Sequence, residues 1–110
     1  MSISPEPIDS STPISAAELS AAKVRVPGYV VYRDFAHETV MLNLRTGKYH
    51  GLNPSAGAIL DALDKAPTVS TAIHEIAARF GKAPAEIEGD IHEFCVDMLR
   101  RNLIEVDVAA

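Results

Sequence analysis

Between Tyr29 and Leu52 the chain reads as three extended runs, YVVYRD, ETVMLNL and KYHGL, separated by FAH and RTG. Their β-branched and aromatic content and the intervening turn residues predict a three-stranded antiparallel meander. In the middle run Val40, Leu42 and Leu44 alternate with Thr39, Met41 and Asn43, so one face is expected to pack on a core and the other to be mixed. Gly47 is placed to supply the positive φ that a tight Arg45-Thr46-Gly47 connection needs. Pairing of sequence neighbours then leaves Lys48–Leu52 at a sheet edge.

From Asn53 the period becomes helical. Asn53 suits an N-cap and Pro54 the first helical position, with Ala56, Ile59, Leu60 and Leu63 on one face and Pro67 as terminator. Thr68 caps a second expected helix through Phe80, with Val69, Ala72, Ile73, Ile76, Ala77 and Phe80 on its apolar side and Gly81 as its stop. Pro84 opens a third, to about Asn102, striped by Ile87, Ile91, Phe94, Cys95, Met98 and Leu99. The short apolar run Leu103-Ile104-Glu105-Val106 closes the chain. Strands followed by three helices define an α+β domain with the helices against one sheet face.

The first 22 residues hold Pro5, Pro7 and Pro13 among many Ser and Ala, with three acids and no base. They read as a flexible tail, in which a helix at Ser15–Ala22 would be marginal alone, ahead of a single domain at 23–110. The whole chain carries a net charge of −5, and residues 23–110 carry −2. This balance disfavours general affinity for nucleic acid or anionic membrane, and no stretch approaches the length of a bilayer span or has the form of a targeting signal. A single cysteine, Cys95, excludes an internal disulfide or two-cysteine metal motif. The expected location is the cytoplasm.

Catalytic constellations are lacking. His74-Glu75 and His92-Glu93 begin like zinc-protease helices, but Ala78 and Val96 stand where the second His is needed. His37, His50, His74 and His92 fall in different elements, so no metal or other cofactor is expected. No nucleophile elbow, P-loop or dinucleotide glycine pattern is present. Cys95 lies on an apolar stripe among acids, an environment that opposes a thiolate. The expectation is a protein that is not an enzyme.

Two binding readings remain. Three helices with a small sheet are reminiscent of winged-helix DNA binders, but from Glu86 to Asp97 the third helix has five acids and no Lys or Arg. DNA recognition, or a general protein-interaction role, is the alternative. The other reading uses KYHGL, an edge with one charged gatekeeper, Lys48, and with Gly51 to admit a second backbone, where an extended peptide could add as a strand. An ordinary edge, shielded by the tail or by a dimer mate, is the competing account, so the state expected is a monomer or weak homodimer.

VMLNLRTGKYHGLN, PSAGAILDAL and DIHEFCVDMLRRNLIEV together resemble the PqqD family, the small recognition elements for ribosomally made, post-translationally modified peptides (RiPPs), over about residues 24 to 106. The marks are the turn–strand–Leu-Asn junction from Gly47 to Asn53, the small residues Ala56 and Gly57 before Ile59, and the pattern Phe94-Cys95, Met98, Leu103-Ile104. The resemblance implies a winged-helix-like fold, no catalysis, and binding of a precursor's leader segment along the third strand and against the third helix, for presentation to a modifying enzyme or leader peptidase. By position it implies a peptide-binding surface of Lys48, Tyr49, His50, Gly51 and Leu52 on the strand, and Asp90, Phe94, Asp97, Met98 and Arg101 on the helix. Cys95 and Asn102 depart from the Leu and Gly frequent in relatives. The hairpin is most similar to stand-alone members serving lasso-peptide pathways.

Overall fold

The computed structural model describes residues 7–8 and 14–108. In chain order its elements are β1 (Pro7–Ile8), α1 (Ala16–Ala21), β2 (Lys23–Arg25), β3 (Val30–Asp34), β4 (Thr39–Asn43), β5 (Lys48–Leu52), α2 (Pro54–Lys65), α3 (Val69–Phe80), α4 (Pro84–Arg100) and β6 (Glu105–Asp107). The α+β, winged-helix-like arrangement expected from the sequence is present: β3, β4 and β5 form an antiparallel meander with β5 at one edge, followed by three helices.

The helix boundaries follow local chemistry. Asn53 Oδ1 accepts the Ala56 N–H at 2.8 Å and Thr68 Oγ1 accepts that of Thr71 at 3.1 Å, each satisfying an otherwise orphaned donor. Glu86 reaches back to the Ala83 N–H at 2.9 Å at the start of α4. That helix ends at Arg100, slightly before the expected Asn102, which instead takes a positive φ of 57° while the Leu103 N–H returns to Met98 O. Leu60, Leu63, Ile76, Ile91 and Met98 meet in the core, whereas Phe80, in the last turn of α3, is 41% exposed.

The sheet packs by the face opposite to the more apolar one. Met41 is fully buried, and with it Thr39 and Asn43, at 3% and 2% exposure; Val40 and Leu42 are half-buried and Leu44 is exposed. Polar residues are tolerated inside because each has a partner. Thr39 Oγ1 donates to Asp34 Oδ1 at 2.6 Å. Asn43 uses both ends of its amide: Oδ1 accepts the N–H groups of Arg45 and Thr46 at 2.9 and 3.2 Å, and Nδ2 donates to Asn102 O at 3.1 Å. The first pair shapes the turn to Gly47, whose φ is 73°; the last bond ties the hairpin to the end of α4. Helix α2 meets β4 so closely at Gly57 that a Cβ there would collide with Thr39 Oγ1.

A second sheet, which no sequence pattern signalled, has the order β1-β6-β2. Its strands are two or three residues long, and Arg25 fastens β2 to β6 through Asp107 at 2.6 Å and Glu105 at 2.9 Å. Lys23 Nζ donates to Asp64 O and Ala66 O at the end of α2, where free carbonyls and the helix dipole favour a cation.

The tail boundary also moves. Ser15 and Glu18 form a reciprocal capping box on α1, Leu19 and Ala22 are buried, and the Val69 N–H donates to Ala22 O at 2.9 Å. A six-residue helix, marginal alone, is held here by contact with α3. The packed body therefore includes Ile14 and the residues of α1; the rest of the expected tail, apart from β1, lies outside the described residues.

Candidate functional site

The edge strand can be resolved into two kinds of position. Leu44 donates its N–H to Tyr29 O and Phe35 to Glu38 O, so even-numbered residues of β4 direct their main-chain groups toward β3. Odd-numbered ones, Thr39, Met41 and Asn43, therefore serve β5, where they stand opposite Leu52, His50 and Lys48. By alternation, the main-chain groups of Tyr49 and Gly51 point away from β4, along the free edge. The other edge, β3, ends in the charged pair Arg33-Asp34, and its first N–H, on Val30, is already taken by Pro27 O at 3.0 Å. Of the two edges, β5 is the better template for another strand.

Side chains divide the same way. Lys48, His50 and Leu52 share the helix-facing side with Met41, and Leu52 is buried at 7% exposure. Tyr49 and Gly51 share the outer side with Leu42 and Val40. Tyr49, 72% exposed, lines an open depression of about 230 Å³ with Val31, Phe35, Val40 and Leu42. Of the surface that the resemblance implies, Tyr49 stands apart from the helix residues, because a period of two puts it on the opposite face of the sheet from the helices.

Along α4, Asp90, Phe94, Asp97 and Arg101 recur at helical spacing. Asp90 and Arg101 are exposed, Phe94 is half-buried against the core, and Asp97 receives Arg101 Nη2 at 3.3 Å. Met98, at 1% exposure, is a core side chain and can shape a neighbouring groove only from beneath. The acids Glu86, Glu88, Asp90 and Glu93 are all exposed.

Titratable groups elsewhere serve the fold. Burial pushes the Cys95 thiol up to about 12, so it stays protonated. Tyr32 donates to Asp64 Oδ2 at 3.1 Å and to Asp61 Oδ1 at 3.4 Å, and burial followed by those two carboxylates holds its phenol well above the usual range. Asp64 also accepts the Val26 N–H at 3.1 Å, so this cluster, which the sequence did not flag, pins the first strand of the meander to α2. His92 Nε2 lies 3.2 Å from Ser20 Oγ, and His74 Nδ1 lies 2.9 Å from Ser70 O. Among the described residues no three His, Cys, Asp or Glu side chains converge as metal ligands, and no helix is long and apolar enough to cross a membrane.

A small α+β domain with three helices and an open strand edge is the class this geometry defines. Residues 38–104, more than half of the chain, match the family described as Coenzyme PQQ synthesis protein D (PqqD), and the chain belongs to that family. Two solved structures are similar in fold. One, described as TbiB1 in complex with the TbiA(beta) leader peptide, is 24% identical with a TM-score of 0.66, over 73% of this chain and 93% of that one. The other, a lasso peptide synthetase B1 complexed with the leader peptide, is 20% identical with a TM-score of 0.62, over 76% and 96%. Among curated protein sequences no relative matches.

Proposed function

We propose that this protein is a non-catalytic peptide chaperone. It binds the leader segment of a ribosomally synthesised precursor as an added strand on β5 and presents it to a modifying enzyme or leader peptidase, in a RiPP pathway of the lasso type. The observation that carries this is the β5 edge, where Tyr49 and Gly51 hold main-chain groups that β4 does not use. Membership of the PqqD family and likeness in fold to two proteins described in complex with leader peptides support it. Backbone pairing supplies sequence-tolerant affinity, and the flank formed by His50, Asp90, Phe94, Asp97 and Arg101 adds selection. Net hydrogen bonds of about 1 kcal/mol each and one or two buried anchors of about 2 kcal/mol, set against peptide ordering, correspond to roughly micromolar or tighter binding. The tethered core peptide then meets its enzyme at raised effective concentration.

The two kinds of position on β5 sharpen the test. Gly51→Pro removes an N–H from the free edge, whereas His50→Pro removes one that the sheet itself uses. Titration of a synthetic lasso-precursor leader peptide that binds the wild-type protein, by calorimetry, should show binding lost in Gly51→Pro with helix content retained; undiminished affinity would sink strand addition. DNA recognition is disfavoured by the exposed acids of α4, and a gel shift at low salt should show no retarded duplex.

A further inference from the structure

The same two residues of β5 that leave main-chain groups on the free edge, Tyr49 and Gly51, direct their Cα substituents to the face of the sheet turned away from the helices. A strand paired antiparallel on that edge would set one residue opposite Tyr49 and another, two positions earlier in the guest, opposite Gly51. Both guest side chains would lie on the outer face, and only the residue between them, opposite His50, would turn toward the helix-facing side.

The outer face offers these two side chains different surroundings. Beside Tyr49 it is mostly apolar: Val31, Leu42 and Tyr49 form one cross-strand row, and Phe35, Val40, Tyr32 and Arg33 complete the open depression. Beside Gly51 it is a gap with a charge over it. A Cβ built on Gly51 would meet Glu38 Oε2 at 3.2 Å, so the Glu38 carboxylate lies across the space a side chain would fill. Among the described residues that carboxylate makes no ion pair within 4.0 Å. The cation in the same cross-strand row, Arg33, has its backbone two strands away across Val40, about 10 Å from that of Gly51.

We infer that the peptide-binding edge also reads its guest on this outer face: an aromatic or branched aliphatic side chain packs beside Tyr49, and a Lys or Arg two residues toward the guest's N-terminus crosses Gly51 to Glu38. The inference rests on strand addition at β5. Directly opposed residues on neighbouring strands have Cβ atoms in contact range, which favours an aromatic–aliphatic pair at Tyr49. At Gly51 the missing side chain lets a long basic residue lie flat, its methylenes on the backbone and its charge at the carboxylate. Such an exposed ion pair contributes discrimination more than affinity.

A random dodecapeptide display library, selected in parallel on the wild-type protein and on Glu38→Lys, tests this. Wild-type selection should enrich a basic residue followed two positions later by an aromatic or branched aliphatic one. On Glu38→Lys the basic preference should turn acidic while the apolar position persists. Tyr49→Ala should weaken the wild-type consensus peptide roughly three- to tenfold by calorimetry, with the circular dichroism of the protein unchanged. Peptides that lose binding in Gly51→Pro but show no such pair, or whose basic preference survives Glu38→Lys, overturn the outer-face reading and leave strand addition standing. A selection that enriches no peptide, or binders indifferent to Gly51→Pro, overturns strand addition and this inference with it.

Discussion

Beside β6 the chain sets strands of its own on both sides, β1 and β2, whereas among the described residues β5 has β4 on one side only. The sheet edges differ in build as well as in pairing. β1 and β2 are two and three residues long, and β2 is clamped by the Arg25 fork, which leaves little ladder for another chain to extend. β5 runs for five residues, has Lys48 as its charged residue and includes a glycine. Brevity and charge pairing close one sheet to guests; length and sparse charge leave the other open. The difference separates strand pairing used as structure from strand pairing available for recognition.

The sharpest break in that comparison lies within β5. His50→Pro removes a donor from the β4–β5 ladder and should cost about 3 kcal/mol or more, seen as a drop of many degrees in Tm, while Gly51→Pro should cost far less. Comparable losses in the two variants would show that both positions face the sheet. Next in size is the seat of the open sheet on its helices. Gly57→Ala brings a Cβ against Thr39 and should destabilise by about 1–3 kcal/mol in urea unfolding, and Gly57→Ala with Thr39→Ala, which removes the colliding Oγ1, should recover part of it.

Removing residues 1–8, and β1 with them, should lower stability by about 1 kcal/mol and leave peptide binding at β5 unchanged, because β1 pairs on the other sheet. A change in affinity would show that the two sheets are coupled. The smallest effect concerns acid. Arg25 hydrogen bonds hold the Asp107 carboxyl below its usual range, so its contribution is present above the unfolded value of about 4 and is lost as pH falls through the lower folded value. Wild-type Tm should therefore fall more steeply on acidification below about pH 4 than that of Arg25→Met. Solvent screening at this partly exposed pair keeps the difference small.

The α-helical part was the most legible in sequence, because Asn53, Thr68 and Gly81 act on groups within a few residues of themselves. The second sheet was not legible: Val24 and Val106 pair across most of the chain, and three-residue strands carry too little period to announce themselves. Which face of the meander packs inward was hidden for a related reason. Counting apolar residues favours Val40, Leu42 and Leu44, but Asn43 is stabilised inside by Asn102, which is remote in sequence. The orientation of Tyr49 follows from that one fact. A sequence signal did exist: Asn ahead of Arg45-Thr46-Gly47 is the opening of an Asx turn, whose side chain must fold over its own turn. The edge position of β5 was readable from sequence; which of its residues turn their main chain to the free edge required the ladder.

Asn43 also gives the molecule a ruler. One end of its amide sets where the turn finishes and β5 begins, and the other end is anchored to the close of the last helix. The separation of the hairpin turn from the close of that helix is thereby gauged by a single planar group that cannot stretch. Aspartate would keep the acceptor and lose the donor, preserving the bend while releasing the gauge.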